Sequence, residues 1–423
     1  MKRNSGMEIS RDLYLNKLLA KRHNKLIKVI TGLRRCGKSY LLFNLFRDRL
    51  LSENVPENHI LEIAFDLYEN KKYRSPEAFL PYIKEQIADS APYYILLDEI
   101  QLLDEFEAVL NSLARLRNVD IYVTGSNAKF LSKDIITEFR GRGDEIHMYP
   151  LTFAEFMSVY SGDRVSAWSE YVLYGGIPLV LEQTSPEQKA EFLKRLFSKT
   201  YLSDIIGRNR IKNKIELEEI LNILSSAIGS LTNPTKLSAA FKSIKNKTLS
   251  PNTVKKYIEC LEDSFLIDSA SRYDIKGKRY IGAPLKYYFG DLGLRNARLN
   301  FRQIEENHAM ENIIFNELKA RGYNVDIGII VSNETDRSGK KIRKQLEIDF
   351  VCNKGSKRFY IQSALTLPDQ AKREQEQRSL LKTDDAFKKI IVTKDALAPL
   401  YNEKGILTMN IFDFLLNPNS LDF

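Results

Sequence analysis

Residues 27–39 read Ile-Lys-Val-Ile-Thr-Gly-Leu-Arg-Arg-Cys-Gly-Lys-Ser. A short β-rich run feeds a frame of Gly32, four residues, then Gly37-Lys38-Ser39, the complete pattern of a phosphate-binding loop. The glycines let the backbone turn sharply and bring its N–H groups against phosphate oxygens. A helix is expected from Tyr40 to about Leu50, with its positive N-terminal end aimed at the same anion. Lys38 reaches the terminal phosphates and the Ser39 hydroxyl completes a Mg²⁺ shell. Gly32, Arg35, Cys36, Gly37, Lys38, Ser39 and Tyr40 are therefore the candidate nucleotide-binding residues. The apolar strand before the loop and the apolar-periodic helix Leu41-Leu42-Phe43-Asn44-Leu45-Phe46 after it supply the context that the motif requires.

The second half of the site is expected about sixty residues downstream. Tyr93-Tyr94-Ile95-Leu96-Leu97 is an apolar run that ends in Asp98-Glu99. A parallel strand buried on both faces reads this way, and ligands bind at the C-terminal ends of such strands. Asp98 is the second Mg²⁺ candidate. Glu99 is placed to polarise the attacking water. A third strand, Asp120-Ile121-Tyr122-Val123, runs into Thr124-Gly125-Ser126-Asn127. Asn127 is a candidate for hydrogen-bonding the γ-phosphate or the water. Arg140 and Arg142, in Phe139-Arg140-Gly141-Arg142-Gly143, are candidates for neutralising transition-state charge, in cis or from a neighbouring subunit.

The 423 residues, 43% apolar, suffice for two to three domains. No run of about 18 apolar residues offers a transmembrane helix, and the polar start lacks a secretory signal. The three cysteines, Cys36, Cys260 and Cys352, are far apart, which suits a reducing compartment and forms no metal cluster. The four histidines are also dispersed. A net charge of +9 is compatible with nucleic acid without requiring it.

Beyond residue 150 the chain reads as a small helical lid, broken at Tyr174-Gly175-Gly176-Ile177-Pro178. Residues 232–258 hold six lysines and no acid. Leu237–Phe241 reads as a short helix, and Ser250-Pro251-Asn252-Thr253 opens another, with Ser250 as N-cap and Pro251 in the first turn. A hairpin around Lys276-Gly277 follows. Helix, turn, helix and a two-stranded wing is the winged-helix layout, and Asn252, Thr253, Lys255 and Lys256 would face a DNA groove. The last hundred residues read as a further α/β domain. Its helix carries Glu311, and its strands include Leu346–Val351, Phe359–Ala364 and Ile390–Thr393. A nuclease arrangement of this type places a Glu on a helix, an Asp on one strand and Glu-x-Lys on the next. Glu311 and Asp349 fit. Gln362 and Ala364 stand where the Glu and Lys should be, so the domain is expected to be nuclease-like in fold and inactive.

Taken together, Gly-Leu-Arg-Arg-Cys-Gly-Lys-Ser at 32–39, Leu-Asp-Glu-Ile-Gln at 97–101, Thr-Gly-Ser-Asn at 124–127, Tyr-Gly-Gly-Ile-Pro at 174–178, Asp-Leu-Gly-Leu-Arg at 291–295, Met-Glu-Asn at 310–312 and Glu-Ile-Asp-Phe at 347–350 resemble a large prokaryotic family along nearly the whole chain. Its members are AAA-type P-loop ATPases fused to a C-terminal domain of nuclease-like fold. The resemblance implies an α/β architecture: an AAA-like P-loop NTPase core over 1–150, a helical lid over 151–228, a winged helix over 229–295 and a restriction-endonuclease-like domain over 296–423. It also implies that Asn127 stands at the sensor position.

The expected function is a cytoplasmic, Mg²⁺-dependent ATPase that couples nucleotide state to the winged-helix and nuclease-like modules and acts on double-stranded DNA. The alternative is a slow ATP-dependent switch that binds a protein partner. An ATP-dependent nuclease is disfavoured by the missing Glu-x-Lys. A trans-acting arginine would require a homo-oligomer.

Overall fold

The computed structural model describes residues 8–125, 143–335 and 341–422. It falls into two compact units. One runs to Leu151 and takes in Asp263–Phe265; the other comprises Thr152–Glu262 and the chain from Leu266 onward.

The first unit is built on a parallel sheet of β1 (Ile27–Gly32), β2 (Ile60–Ala64), β3 (Tyr93–Asp98), β4 (Val119–Thr124) and β5 (Gly143–Met148), in the order β2-β3-β4-β1-β5. Every residue of β1 and β3 is buried, as expected of strands covered on both faces. One face packs Val29, Ile63, Ile95, Leu97 and Val123 against Phe79, Ile83, Phe106 and Leu110 from neighbouring helices. Lys28, fully buried, is the charged residue of β1. Its ammonium pairs with Asp120 on β4, which also accepts from Tyr122 Oη at 2.7 Å. The helix after β1 covers 38–52, with Leu41–Phe46 wound as a π-helical turn. Its buried Leu41, Leu42, Phe46 and Leu50 anchor it to the sheet.

The second unit begins with short helices, Phe153–Met157, Arg164–Tyr174 and Pro186–Leu196. Thr152 and Glu155 form a reciprocal cap at the first of these. Helices Pro234–Lys245 and Pro251–Asp263 follow. Ser250 Oγ accepts from Thr253 N at 3.1 Å, and Val254, Tyr257, Ile258 and Leu261 form the buried stripe.

An eight-stranded sheet completes this unit. Its strands are β6 (Ile267–Asp274), β7 (Arg279–Phe289), β8 (Asn324–Thr335), β9 (Lys341–Lys354), β10 (Lys357–Ser363), β11 (Lys388–Thr393), β12 (Leu400–Tyr401) and β13 (Ile406–Asn410). Their order is β12-β13-β11-β10-β9-β8-β6-β7. The hairpin expected to be a free wing is therefore part of this sheet, and a sheet boundary at residue 295 is not observed. The free edge of β6 pairs with β8 from Arg272↔Ile327 to Asp274↔Ile329. Ile275, at the hairpin's turn, packs into the apolar cluster of Ile330, Ile348, Val351 and Tyr360.

Asp291 joins the Gly-Gly break to the helix Leu292–Arg298. Its carboxylate accepts from Gly176 N at 2.7 Å and from Leu294 N at 3.0 Å. Gly175 lies at φ +73°, and a β-carbon there would stand 2.4 Å from Asp291 Oδ1, so only glycine fits. Burial pushes the Asp291 carboxyl up to about 6, against the backbone N–H groups that favour its charge. An unfolded Asp titrates near 3.9, so the folded chain binds more protons between those values. The protonated carboxyl's contribution is whole below about pH 4 and is lost as pH rises through about 6. Asp291→Asn should therefore gain about 2 to 3 kcal/mol on the parent between pH 4 and pH 7. Urea unfolding of both proteins at the two pH values measures this; a gap that does not change with pH would refute it.

Candidate functional site

The C-terminal ends of β1, β3 and β4 bring the first set of candidates together. Gly32, at φ +136°, ends β1 directly beside β5. A β-carbon on it would lie 2.1 Å from Met148 O, so the loop can leave the sheet here only through glycine. Arg35 at φ +67° and Gly37 at φ +102° curl the loop, with Arg35 exposed and Cys36 buried. Cys36 Sγ points at Met148 O, 3.5 Å away. Lys38 is buried, and its ammonium donates to Gly32 O and Leu33 O, both at 2.9 Å. Ser39 is exposed and half-buried Tyr40 follows it on the helix.

Asp98, at the end of β3, is buried and receives the Thr124 hydroxyl from β4. Burial raises its carboxyl above the ordinary range, while the Thr124 and Ser39 hydroxyls oppose that shift. Glu99 turns out of the strand at φ +52°. Its N–H donates to Thr124 Oγ1 at 3.1 Å, and its carboxylate receives the Gln101 amide. Thr124 thus holds both acids in place, a role that sequence reading missed. An exposed serine hydroxyl hydrogen-bonded to a buried carboxylate is a hard oxygen pair that suits Mg²⁺. Gly32, Gly37 and Lys38 suit a polyphosphate. Asn127, Arg140 and Arg142 lie outside the described residues.

The second unit gathers another cluster. Glu311, on helix Glu306–Ala320, and Asp349, on β9, both lie against one ammonium. The structure adds Lys286 from β7 and Glu347 from β9, which sequence reading passed over. Lys286 Nζ lies 2.9 Å from Glu311 Oε1, 2.8 Å from Glu347 Oε1 and 3.7 Å from Asp349 Oδ1. Tyr288 Oη donates to Glu311 Oε1 at 2.6 Å, and Ser363 N donates to Asp349 Oδ2 at 2.8 Å. Burial works against the charge on Lys286, but Glu311, Asp349 and Glu347 together hold it above the ordinary lysine range. Burial and Glu311 push Asp349 up. Gln362 precedes Ser363, and its Oε1 is buried with no hydrogen-bond partner among the described residues. Among those residues, no group of His, Cys, Asp and Glu is arranged to hold a metal. The ammonium takes the central position that a cation would need. A sequence signal for it existed: Lys286 and Tyr288 are polar-ended residues at alternate positions near the buried end of a strand.

Asn252, Lys255 and Lys256 are exposed on the first turns of helix Pro251–Asp263, and Thr253 is half-buried beside its cap. Lys255 lies 3.8 Å from Glu259, and Lys245 pairs with Glu219 at 3.0 Å. Part of this basic surface is therefore already neutralised. No helix of the described residues is long and apolar enough to cross a membrane.

The profile of the AAA domain family matches residues 24–157, and that of a domain of unknown function matches residues 165–305. An uncharacterised protein of Haemophilus influenzae is 35% identical over 417 residues, covering 96% of this chain and 98% of that protein. An uncharacterised protein of Methanocaldococcus jannaschii is 27% identical over 409 residues, covering 92% and 85%. Among solved structures, the Aeropyrum pernix ORC1 protein in complex with DNA is similar at 14% identity and a TM-score of 0.33, over 69% of this chain and 92% of that one. That likeness is too weak to carry a functional reading.

Removing Lys286 should turn the closed cluster into a cation site. Lys286→Ala leaves buried carboxylates uncompensated and should cost about 3 to 5 kcal/mol. Millimolar Mn²⁺ should restore part of the thermal stability of Lys286→Ala/Asp98→Asn and leave Asp98→Asn alone, whose Lys286 cluster is intact, unmoved. Equal Mn²⁺ stabilisation of Asp98→Asn and Lys286→Ala/Asp98→Asn would show that the ammonium does not close the site.

Proposed function

We propose that this chain, which belongs to the same family as the full-length Haemophilus influenzae protein, binds Mg²⁺·ATP on its AAA domain and hydrolyses it. The observation that supports this most is the convergence of Lys38, Ser39, Asp98 and Glu99 at the C-terminal ends of β1 and β3, with Thr124 of the intervening β4 bonded to Asp98 and Glu99 and the Ser39 hydroxyl to Asp98.

In this reading Lys38 leaves the carbonyls of Gly32 and Leu33, which it now contacts, and pairs with the terminal phosphates. The exchange of two neutral acceptors for an anionic one favours nucleotide. Ser39 and Asp98 hold Mg²⁺, which when bound neutralises phosphate charge. Glu99 accepts a proton from the attacking water; its left-handed backbone turns it away from the strand that carries Asp98. Asn127 reads the γ-phosphate, and Arg140 or Arg142 stabilises the charge that develops on it. The mixed-sheet unit acts as the responsive module, restriction-endonuclease-like in fold and without cleavage activity, because Lys286 fills the place of its cation.

Double-stranded DNA is the second element of the reading. It is supported by the exposed Asn252, Lys255 and Lys256 and by the acid-free run around them. The neutralising contacts of Lys245 and Lys255 and the absorption of the wing into the sheet favour a modest, salt-sensitive contact over sequence-specific docking. A homo-oligomer would let an arginine act in trans.

Steady-state ATP hydrolysis tests the proposal. Lys38→Ala should abolish binding and turnover. Glu99→Gln should retain binding and lower kcat by about 10² or more. Turnover that survives Lys38→Ala would refute the site. DNA stimulation that disappears in Lys255→Glu/Lys256→Glu would support the DNA reading, whereas slow turnover indifferent to DNA would favour a switch acting on a protein partner.

A further inference from the structure

The segment before β1 has no part in the function described so far, yet it is built into the phosphate-binding loop. Ile9, Arg11, Tyr14 and Leu18 are buried, and Arg11 is 2% exposed. Arg11 stands at φ 42°, ψ 36°, immediately before helix Asp12–Ala20. This left-handed conformation is unfavourable for a bulky residue and needs an external hold. The hold is visible. Arg11 Nη1 donates to Cys36 O at 3.0 Å, and Nη2 donates to Tyr149 O at 2.6 Å. The guanidinium lies over the Tyr14 ring, 4.8 Å from its centroid, and Tyr14 Oη accepts from Tyr149 N at 3.0 Å.

Cys36 O is a consequential acceptor. In a trans peptide the C=O and the following N–H point in opposite directions. A guanidinium that fixes Cys36 O therefore also fixes Gly37 N–H, aimed away from the Arg11 contact. Gly37 has φ +102° and no side chain, so nothing of its own fixes that peptide plane. The second arm of the fork fixes Arg11 itself to Tyr149, the residue after β5, which is paired with β1 along its whole length. A planar guanidinium can hold two carbonyls at a set angle; an ammonium cannot.

We propose that Arg11 is a positioning residue for the nucleotide site: it presets the Cys36–Gly37 peptide so that Gly37 N–H faces a bound phosphate, with no contact of its own to substrate. The ligand class is any nucleoside di- or triphosphate, or pyrophosphate. This rests on the ATP-binding reading above. It gives Arg11 a different task from Lys38, since Arg11 acts through backbone geometry and Lys38 through charge.

The experiment compares the parent, Arg11→Ala, Arg11→Lys and Lys38→Ala. Calorimetry measures the Kd for ATP and for pyrophosphate, steady-state assays measure KM and kcat, and melting temperature reports folding. A preset N–H helps bound substrate and transition state alike, so its loss should appear in Kd and KM more than in kcat. Arg11→Lys, which keeps the charge and loses the fork, should fold and should weaken both ligands by about tenfold, with kcat at saturating ATP falling less than kcat/KM. Equal Kd values for folded Arg11→Lys and the parent would overturn the proposal. So would a fall in kcat with KM unchanged, which signals only a loss of active molecules. If Arg11→Ala does not fold, Arg11→Lys decides. A parent that binds neither ATP nor pyrophosphate would refute the ATP site itself and this inference with it; a parent that binds both, beside an unaffected Arg11→Lys, would refute the inference alone.

Discussion

The pairing of β1 with β5 is the constraint on which the nucleotide site depends. It runs from Ile27↔Gly143 to Gly32↔Met148 and ends with Met148 O so close to Gly32 that no side chain can intervene. The chain must leave the sheet at that point as glycine, and the loop that follows inherits its starting direction from the sheet. Lys38, Ser39 and the helix over 38–52 are placed by this exit. Asp98 and Glu99 are placed by the adjacent ends of β3 and β4 through one threonine hydroxyl. Among the described residues, the phosphate-handling groups therefore stand on the loop and helix that follow β1 and on the ends of β3 and β4.

The two units solve the problem of a buried carboxylate differently. Asp98 is buried beside hydroxyls and, among the described residues, has no ammonium as a hydrogen-bond partner, so desolvation raises its carboxyl and leaves it receptive to a cation from outside. Glu311, Glu347 and Asp349 already surround an ammonium on the chain itself. The first arrangement invites exchange with solvent ions; the second is closed. Lys28 and Asp120 form a third case, a buried pair inside the sheet that fixes β1 against β4 with no exposed edge for chemistry.

Much of the first unit was legible because β3 is a continuous apolar run up to Asp98 and the largely apolar β1 and β4 lead straight into polar motifs. β1, β3 and β4 could be read directly, and the P-loop and Asp98-Glu99 fell at their ends. β2 and β5 were not, because no motif marks the end of β2, which Glu62 interrupts, and Asp144, Glu145 and His147 break up β5; pairing along a neighbour, not local composition, makes them strands. In the second unit the helices and the Ser250 cap were legible from punctuation and periodicity. The fate of the hairpin was not, since a hairpin reads the same whether its outer edge meets water or another strand. Lys286 joins Glu311 and Asp349 across long sequence separations, and no local pattern encodes that meeting. Arg11 left a weak trace: an arginine at the i, i+3, i+7 spacing shared with Tyr14 and Leu18 on a buried face.

The shared sheet also governs how this chain can be divided. β6 and β7 precede residue 295 while β8 to β13 follow it, yet β6 supplies the backbone partner for β8. A fragment that begins after residue 295 would present β8 with a row of unsatisfied amides and carbonyls beside the apolar side chains that Ile275 covers. Such an edge recruits other strands indiscriminately and drives self-association. A fragment that ends there would carry a lone hairpin, too small to be stable in water by itself. The natural seam for dissecting the molecule is therefore near residue 151, and the boundary suggested by the order of motifs along the chain would yield two pieces that precipitate.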